Sequence, residues 1–351
     1  PSIVNLTSYV DIVRDKSITR RIMDAARAIV EDGYTNEDAL SFVDNSEKII
    51  FDIAKTRRTT DFISISEVTL DVIEKAEQAK HNKGKLTGLD TGYTELNDYT
   101  LGLQPTELVI IAARPSMGKS AFALNVAANV AKMESKPYVA VFSLEMGADQ
   151  LVSRMLSSES RVHSENIRTG DLSPVQWQQI SLARDNLSAL NILFDDSGTV
   201  KVTDLRQKCR KLAQEKKLDL VIIDYLQLLS GTRTENRVQE VSEISRVLKE
   251  MARELKIPVI ALSQLSRQVE RREDKIPMMA DLRDSGSIEQ DADVIMFLYR
   301  DDYYNKTDSN RPNTLDIIIS KNRQGAVSTD NILLTYNKPC SYLGNMIGAE
   351  N

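Results

Sequence analysis

The sequence predicts an α/β fold with a mostly parallel central sheet, preceded by a small helical hairpin domain and a linker helix. Three observations point to it. From residue 86 onward, short β-branched runs alternate with amphipathic stretches, the pattern of βαβ units. Residues 1–83 show helical periodicity and no strand-like run. One strand-to-helix junction carries a Gly-Lys-Ser phosphate-loop signature.

At the amino-terminal end, Ile18, Ile22, Met23, Ala26, Ile29 and Val30 recur at helical spacing. Thr35 is placed to cap a helix with Glu37 and Asp38 in its first turn, and Ser46 to cap another with Ile49, Ile50 and Ile53 on its apolar face. Residues 1–63 therefore read as a helical hairpin. A further helix from Ser66 passes through Val68, Val72, Ile73 and Ala76 before the polar stretch His81 to Lys85, which makes 64–85 a linker helix and linker. The α/β domain is 86–351. Strands are expected at Leu108 to Ala112, Val139 to Leu144, Ile192 to Phe194, Leu220 to Ile223, Val259 to Leu262 and Val294 to Leu298. Ser173-Pro174 reads as a helix cap followed by proline at the first helical position, and Val238, Val241, Ile244, Leu248, Met251, Ala252 and Leu255 form one stripe. Leu315 to Ile319 and Ile332 to Leu334, joined by a short loop, predict an antiparallel hairpin at one sheet edge.

Composition narrows the function. With 45 basic and 51 acidic residues the net charge is −6, and 41% hydrophobic residues are enough for a full core in about two domains. No apolar run reaches the length of a membrane span and no signal-peptide pattern opens the chain, so a soluble protein of a reducing cytoplasm, with no membrane partner, is expected. Cys209, Cys340, His81 and His163 stand at spacings that fit neither a disulfide framework nor a structural zinc. The start at Pro1 suggests a processed product or a fragment.

The strongest motif is Ala113-Arg114-Pro115-Ser116-Met117-Gly118-Lys119-Ser120, leading into a helix at Ala121. It matches the phosphate-loop pattern except for alanine at the first glycine. Backbone N–H groups converge on a phosphate at a helix amino terminus, Gly118 allows the approach, Lys119 reaches the terminal phosphates, and Ser120 is placed for Mg²⁺. Asp224 ends the apolar strand Leu220-Val221-Ile222-Ile223 and is the candidate for the Mg²⁺ shell. Glu145, in Phe142-Ser143-Leu144-Glu145-Met146, stands where a carboxylate can polarise an attacking water, or simply favour the positive end of the next helix. Gln264 follows another strand and is either a γ-phosphate sensor or a polar strand end. Lys321 and Arg323, in the loop of the last hairpin, are either cations serving a neighbouring subunit or a solvated loop. Two basic clusters remain. The helix from Lys201 to Lys217 reads as a solvated outer face, whereas Arg267, Arg271, Arg272 and Lys275 read as a flexible loop able to grip a phosphate backbone.

Six motifs in order, Ala-Arg-Pro-Ser-Met-Gly-Lys-Ser, Phe-Ser-Leu-Glu-Met, Ile-Ile-Asp-Tyr-Leu-Gln-Leu, Leu-Ser-Gln-Leu-Ser-Arg, Asp-Leu-Arg-Asp-Ser-Gly-Ser-Ile-Glu-Gln-Asp-Ala-Asp and Lys-Asn-Arg-Gln-Gly, strongly resemble the bacterial replicative DNA helicase family, DnaB, across residues 86–336. The resemblance implies a RecA-like ATPase domain and a homo-hexameric ring with ATP and Mg²⁺ at its interfaces. It implies that Ser116, Met117, Gly118, Lys119, Ser120 and Ala121 bind the nucleotide, that Ser120 and Asp224 hold the metal, that Glu145 is the base and Gln264 the sensor, and that Lys321 and Arg323 act across the interface. Arg283, Asp284, where glutamate is more usual, and Gly286 would touch single-stranded DNA in the central channel. Residues 1–63 would be the carboxyl-terminal part of the helical collar domain, whose start is absent. Movement 5′ to 3′, a primase and a helicase loader are implied as well. The alternative is a RecA-like recombinase that forms filaments on DNA. A third class, a P-loop ATPase without DNA, leaves the basic loop from Arg267 to Arg283 without a purpose.

Overall fold

The structure, a computed structural model, describes residues 4–35, scattered positions between 42 and 77, 86–198, 200–231 and 236–346. The chain divides into two units, Pro1–Lys83 and Gly84–Asn351. In the first, one 32-residue helix, α1 (Val4–Thr35), carries the periodicity of Ile18 to Val30 and ends on Thr35. Most of the two helices expected after Thr35 and Ser46 lies outside the described residues, while the described positions from 65 to 77 are helical.

The second unit is an α/β domain. In chain order it runs α2 (Thr94–Thr100), β1 (Leu108–Ala113), α3 (Lys119–Ala131), β2 (Val139–Ser143), α4 (Ala148–Ser160), α5 (Ser164–Thr169), α6 (Pro174–Ser188) and β3 (Ile192–Asp195). It continues with α7 (Val202–Gln214), β4 (Leu220–Asp224), α8 (Arg237–Leu255), β5 (Val259–Gln264), α9 (Gly286–Asp291), β6 (Val294–Tyr299), α10 (Asp301–Asn305), β7 (Thr314–Asn322), β8 (Ile332–Asn337) and β9 (Tyr342–Asn345). The sheet order is β3-β2-β4-β5-β1-β6-β7-β8-β9. Every pair from β3 to β6 is parallel, and β6 to β9 pair antiparallel.

Strand alternation explains how one sheet is covered on both faces. In β1, Val109, Ile111 and Ala113 enter the core that contains α3, whose Phe122 stacks on Tyr93 with ring centres 5.5 Å apart. Leu108, Ile110 and Ala112 enter the opposite core, against Leu205 and Cys209 of α7 and the α8 stripe from Val241 to Ala252. The same division separates Leu220 and Ile222 from Val221 and Ile223 in β4. The expected cap of α6 is a reciprocal one. Gln176 N donates to Ser173 Oγ at 3.3 Å, and Ser173 N donates to Gln176 Oε1 at 2.9 Å.

Three expectations change. The last hairpin forms, but β8 is not the edge, because Tyr342–Asn345 adds β9 beyond it; this run contains Gly344 and Asn345, too few apolar residues to read as a strand. Lys321 is not in the hairpin loop: it belongs to β7, opposite Ile295. The basic helix is more than a solvated face, since Arg206 and Arg210 both grip Glu254 of α8, at 2.6 and 2.8 Å, and so fasten the two helices together.

Glu107, immediately before β1, is 3% exposed. Burial, then the nearby Asp293 charge, pushes its carboxyl from 4.5 up to about 7. The unfolded chain releases this proton at a lower pH than the folded one, so the resulting stability cost grows as pH rises from about 4.5 through 7 and is complete above that. Glu107→Gln is expected to stabilise the fold at pH 8 by about 3 kcal/mol, seen as a higher melting temperature, and to change it little at pH 5. Scanning calorimetry at the two pH values measures the difference.

Candidate active site

The carboxyl-terminal ends of β1, β4, β5 and β6 share one edge of the sheet, where ligands bind in parallel α/β folds. After β1 the chain makes a tight turn over residues 114–118 and enters α3. Ser116 has φ 68° and Gly118 φ 95°, both in the left-handed region. A Cβ at Gly118 would also meet the Tyr336 ring at 3.3 Å, so this corner suits glycine on two grounds. Ala113, by contrast, is an ordinary strand residue paired with Gln264 and 1% exposed. No positive φ is needed there, which is why alanine replaces glycine without strain.

Lys119 and Ser120 open α3 and converge on the end of β4. Ser120 Oγ donates to Asp224 Oδ2 at 2.5 Å, Lys119 Nζ lies 3.7 Å from Asp224 Oδ1, and the ammonium sits 4.4 Å from the centre of the Tyr225 ring. Burial pulls the Lys119 ammonium below the usual lysine range, while the Asp224 and Glu145 charges oppose that shift. Asp224 is buried, and its Oδ1 has no hydrogen-bond partner. A buried carboxylate oxygen that accepts no hydrogen bond, beside a hydroxyl, is an oxygen donor set of the kind Mg²⁺ takes, so these residues fit the metal.

Glu145 lies two residues beyond β2 on a turn fixed by Leu144 N donating to Asp224 O at 2.8 Å and Ser143 Oγ donating to Met146 O at 2.6 Å. Its side chain is exposed, which leaves the carboxylate available to a water. Gln264 is the last residue of β5 and is also exposed. Its backbone is held by Gln227, whose Nε2 donates to Gln264 O at 3.2 Å and whose Oε1 accepts from Gln264 N at 3.2 Å.

Two residues not selected from the sequence shape the phosphate loop. Arg300, just past β6, donates to both Asp302 carboxylate oxygens at 3.0 and 2.9 Å and to Ser116 O at 3.3 Å, and lies 5.0 Å from the Tyr336 ring centre. It therefore holds the loop at its left-handed apex. Arg114, 8% exposed, donates to Leu265 O at 2.7 Å and to Glu270 at 2.9 Å, tying the loop to the segment after the sensor. A charged residue at the ligand end of a strand is the signal that marks Asp224, and Arg300 carries the same one.

The basic segment after Gln264 is more ordered than a flexible loop. Arg267–Arg271 is a helical turn, and Arg272 is engaged by Asp281 at 2.7 Å rather than free for a phosphate backbone. Asp281 also accepts from Met278 N at 2.8 Å and opens the turn that leads into α9. The backbone of Arg283 and Asp284 belongs to that turn, and Gly286 is exposed at the start of α9.

Lys321 and Arg323 stand at the other edge. Lys321 pairs with Ile295 at the beginning of β6, and a register shift before Met296 leaves Ser320 as an extra residue. Its Nζ donates to the carbonyls of Glu289 and Ala292 at 2.5 and 2.7 Å. The phosphate loop leaves the far end of β1, about 17 Å away along a six-residue strand at ~3.3 Å per residue. No side chain crosses that distance, so these two cations do not reach this subunit's own loop.

Residues 88–344 match the family described as the DnaB-like helicase C-terminal domain. The chain is 50% identical over 343 residues to the replicative DNA helicase DnaC of Bacillus subtilis (strain 168), covering 96% of this chain and 75% of that protein. It is 49% identical, with the same coverage, to the replicative DNA helicase DnaB of Geobacillus stearothermophilus. It is also similar to a solved DnaB-like replicative helicase studied for its interactions with primase, at TM-score 0.85 and 36% identity over 99% of this chain and 80% of that one. A second solved structure, of an isolated ATPase domain, matches at TM-score 0.77 and 41% identity, over 82% of this chain and 100% of that one.

Arg300→Lys keeps the charge beside Asp302 but loses the forked geometry that also reaches Ser116 O. Fluorescent ADP is expected to bind the variant roughly tenfold more weakly, the loss of about one charge-assisted hydrogen bond. The melting temperature, taken on the same samples, should move little.

Proposed function

The chain belongs to the DnaB-like replicative DNA helicases, and we propose that it works as a ring of six copies that encloses one DNA strand, moves 5′ to 3′ along it and separates the duplex by excluding the other. It is an ATP-hydrolysing DNA helicase by family. The relatives named above are helicases, so the filament-forming recombinase is set aside. What carries the ring is the division of the chemistry: Lys119, Ser120 and Asp224 at one edge of the sheet, Lys321 and Arg323 at the other. A second copy is needed to bring the two sets together.

In this reading the amides of Met117 to Ala121, with Ser116 at the apex of the loop, cradle the ATP phosphates, and Lys119 neutralises the terminal ones. Ser120 and Asp224 hold Mg²⁺, which when bound draws negative charge from the transferring phosphoryl group. Glu145 accepts a proton from the water that attacks the γ-phosphorus as the bond to the ADP oxygen breaks. Lys321 and Arg323 of the adjacent copy stabilise the charge that develops on the phosphoryl oxygens. Gln264 senses the γ-phosphate. Movement at Gln264 has a short route to the DNA-binding turn, because Ser266 N donates to Asp281 O at 3.4 Å, two residues before Arg283. Arg283, Asp284 and Gly286 contact the phosphate backbone of the enclosed strand with little base preference.

Residues 1–63 and the segment 64–85 are assigned the collar and linker and the contacts with primase and a helicase loader, in keeping with the primase interactions of the solved relative. Among the described residues no helix is long and apolar enough to cross a membrane. Bacterial relatives support work in the cytoplasm, without a membrane partner.

Strand separation on a forked duplex with a 5′ tail, in ATP and Mg²⁺, tests the proposal. The protein is expected to unwind this fork and not one with only a 3′ tail. Glu145→Gln is expected to keep ATP binding while hydrolysis falls by roughly 10²–10⁴-fold and unwinding stops. Unwinding by Glu145→Gln, or a requirement for the 3′ tail, contradicts it.

A further inference from the structure

We propose that Asp293 is a positioning residue for Arg323, holding the guanidinium ready for the neighbouring subunit's nucleotide; this rests on the reading of Arg323 as a residue that acts across the interface. Asp293 lies between α9 and β6 and is 6% exposed. Its two carboxylate oxygens face different ways. Oδ2 accepts from Leu108 N, the first residue of β1, at 2.8 Å, and from Lys249 Nζ of α8 at 2.5 Å. Lys249 is itself fixed by donating to Thr106 O at 2.9 Å. This half of the carboxylate is thus built into the core. Oδ1 turns outward and accepts from Arg323 NH1 at 3.2 Å.

Arg323 is held at two further points, its backbone N donating to Asp293 O at 3.0 Å and its NH2 to Gln290 O at 2.5 Å. Its side chain is nevertheless 48% exposed and directly follows β7. A long exposed side chain explores many rotamers, and each must be given up when it meets a phosphate. A buried carboxylate anchored by a second cation removes much of that freedom beforehand, and preorganisation of this kind is what makes a charge effective at a transition state. Lys321 feels the Asp293 charge but makes no hydrogen bond to it. It is held by the carbonyls at the end of α9, so a change at Asp293 removes hydrogen-bonded positioning from Arg323 alone.

Asp293→Asn retains an oxygen for Leu108 N and Lys249 but turns an N–H group, which accepts nothing, toward Arg323. The assembled protein is expected to show a kcat for ATP roughly tenfold lower with KM changed less than about threefold, because the nucleotide pocket of the adjacent copy is intact. Introduced into Arg323→Ala, the same substitution should lower kcat by less than about twofold. An equal loss in both backgrounds overturns the proposal, as it means Asp293 acts through something other than Arg323. So does a kcat left unchanged by Asp293→Asn alone. If Asp293→Asn does not fold, Asp293→Ser, whose hydroxyl still accepts from Leu108 N, is subject to the same criteria. Failure of the underlying reading has its own signature. Arg323→Ala and Lys119→Ala subunits, shown to co-assemble by energy transfer between labels, should together show ATPase well above the residual rates of the two variants measured separately. If they do not, while the two backgrounds still differ, Arg323 acts within its own subunit and the inference falls with the reading.

Discussion

Six strands, β3, β2, β4, β5, β1 and β6, run in the same direction, and that constraint sorts the chemistry of the whole domain. A parallel strand presents one kind of terminus at each edge of the sheet. The carboxyl-terminal edge collects the phosphate loop, Asp224, Glu145 and Gln264 from four different strands. β7 then reverses against β6, which carries Lys321 and Arg323 back to the amino-terminal edge. The residues proposed to bind and polarise a nucleotide are at one edge of the sheet, and Lys321 and Arg323 are at the other. The proposed assembly of several copies thus rests on strand direction as much as on any surface.

Much of this is legible in the amino-acid order. All six parallel strands show as short apolar runs, the five inner ones because strands buried on both faces are apolar along their length, and Asp224 stands out by ending one of them. What stays hidden does so for physical reasons. β9 is short and contains Gly344, so it lacks the composition of a strand and forms because β8 offers it an edge. Lys321 reads as a loop residue because Ser320 and Lys321 are polar, yet the register shift at Ser320 lets the strand continue. Arg300, Gln227 and Asp293 act through hydrogen bonds to distant backbone, and no local spacing announces such contacts. Arg272 reads as free to bind DNA, because its partner Asp281 is nine residues away and separated by a turn.

Polar groups form a connected frame around the site. Arg114 joins the phosphate loop to Leu265 and Glu270; Gln227 joins the sensor to the segment after β4; Ser266 and Arg272 both meet Asp281. Each link is worth only about 1–3 kcal/mol, yet together they leave the sensor few independent movements. In the proposed mechanism these links would carry a displacement of Gln264 toward Asp281 and the turn containing Arg283. In the same way the opposite edge is stiffened by Asp293 and Lys249, so that force developed at an interface is exchanged between rigid elements.

The central claim is that one subunit alone holds an incomplete hydrolytic site. ATPase rate per subunit, followed over a dilution series while mass photometry counts assembled and single chains in the same samples, measures this most directly. The account predicts a rate per subunit that rises and falls with the assembled fraction and vanishes with it. A single chain that hydrolyses ATP as fast as the assembled protein would contradict it.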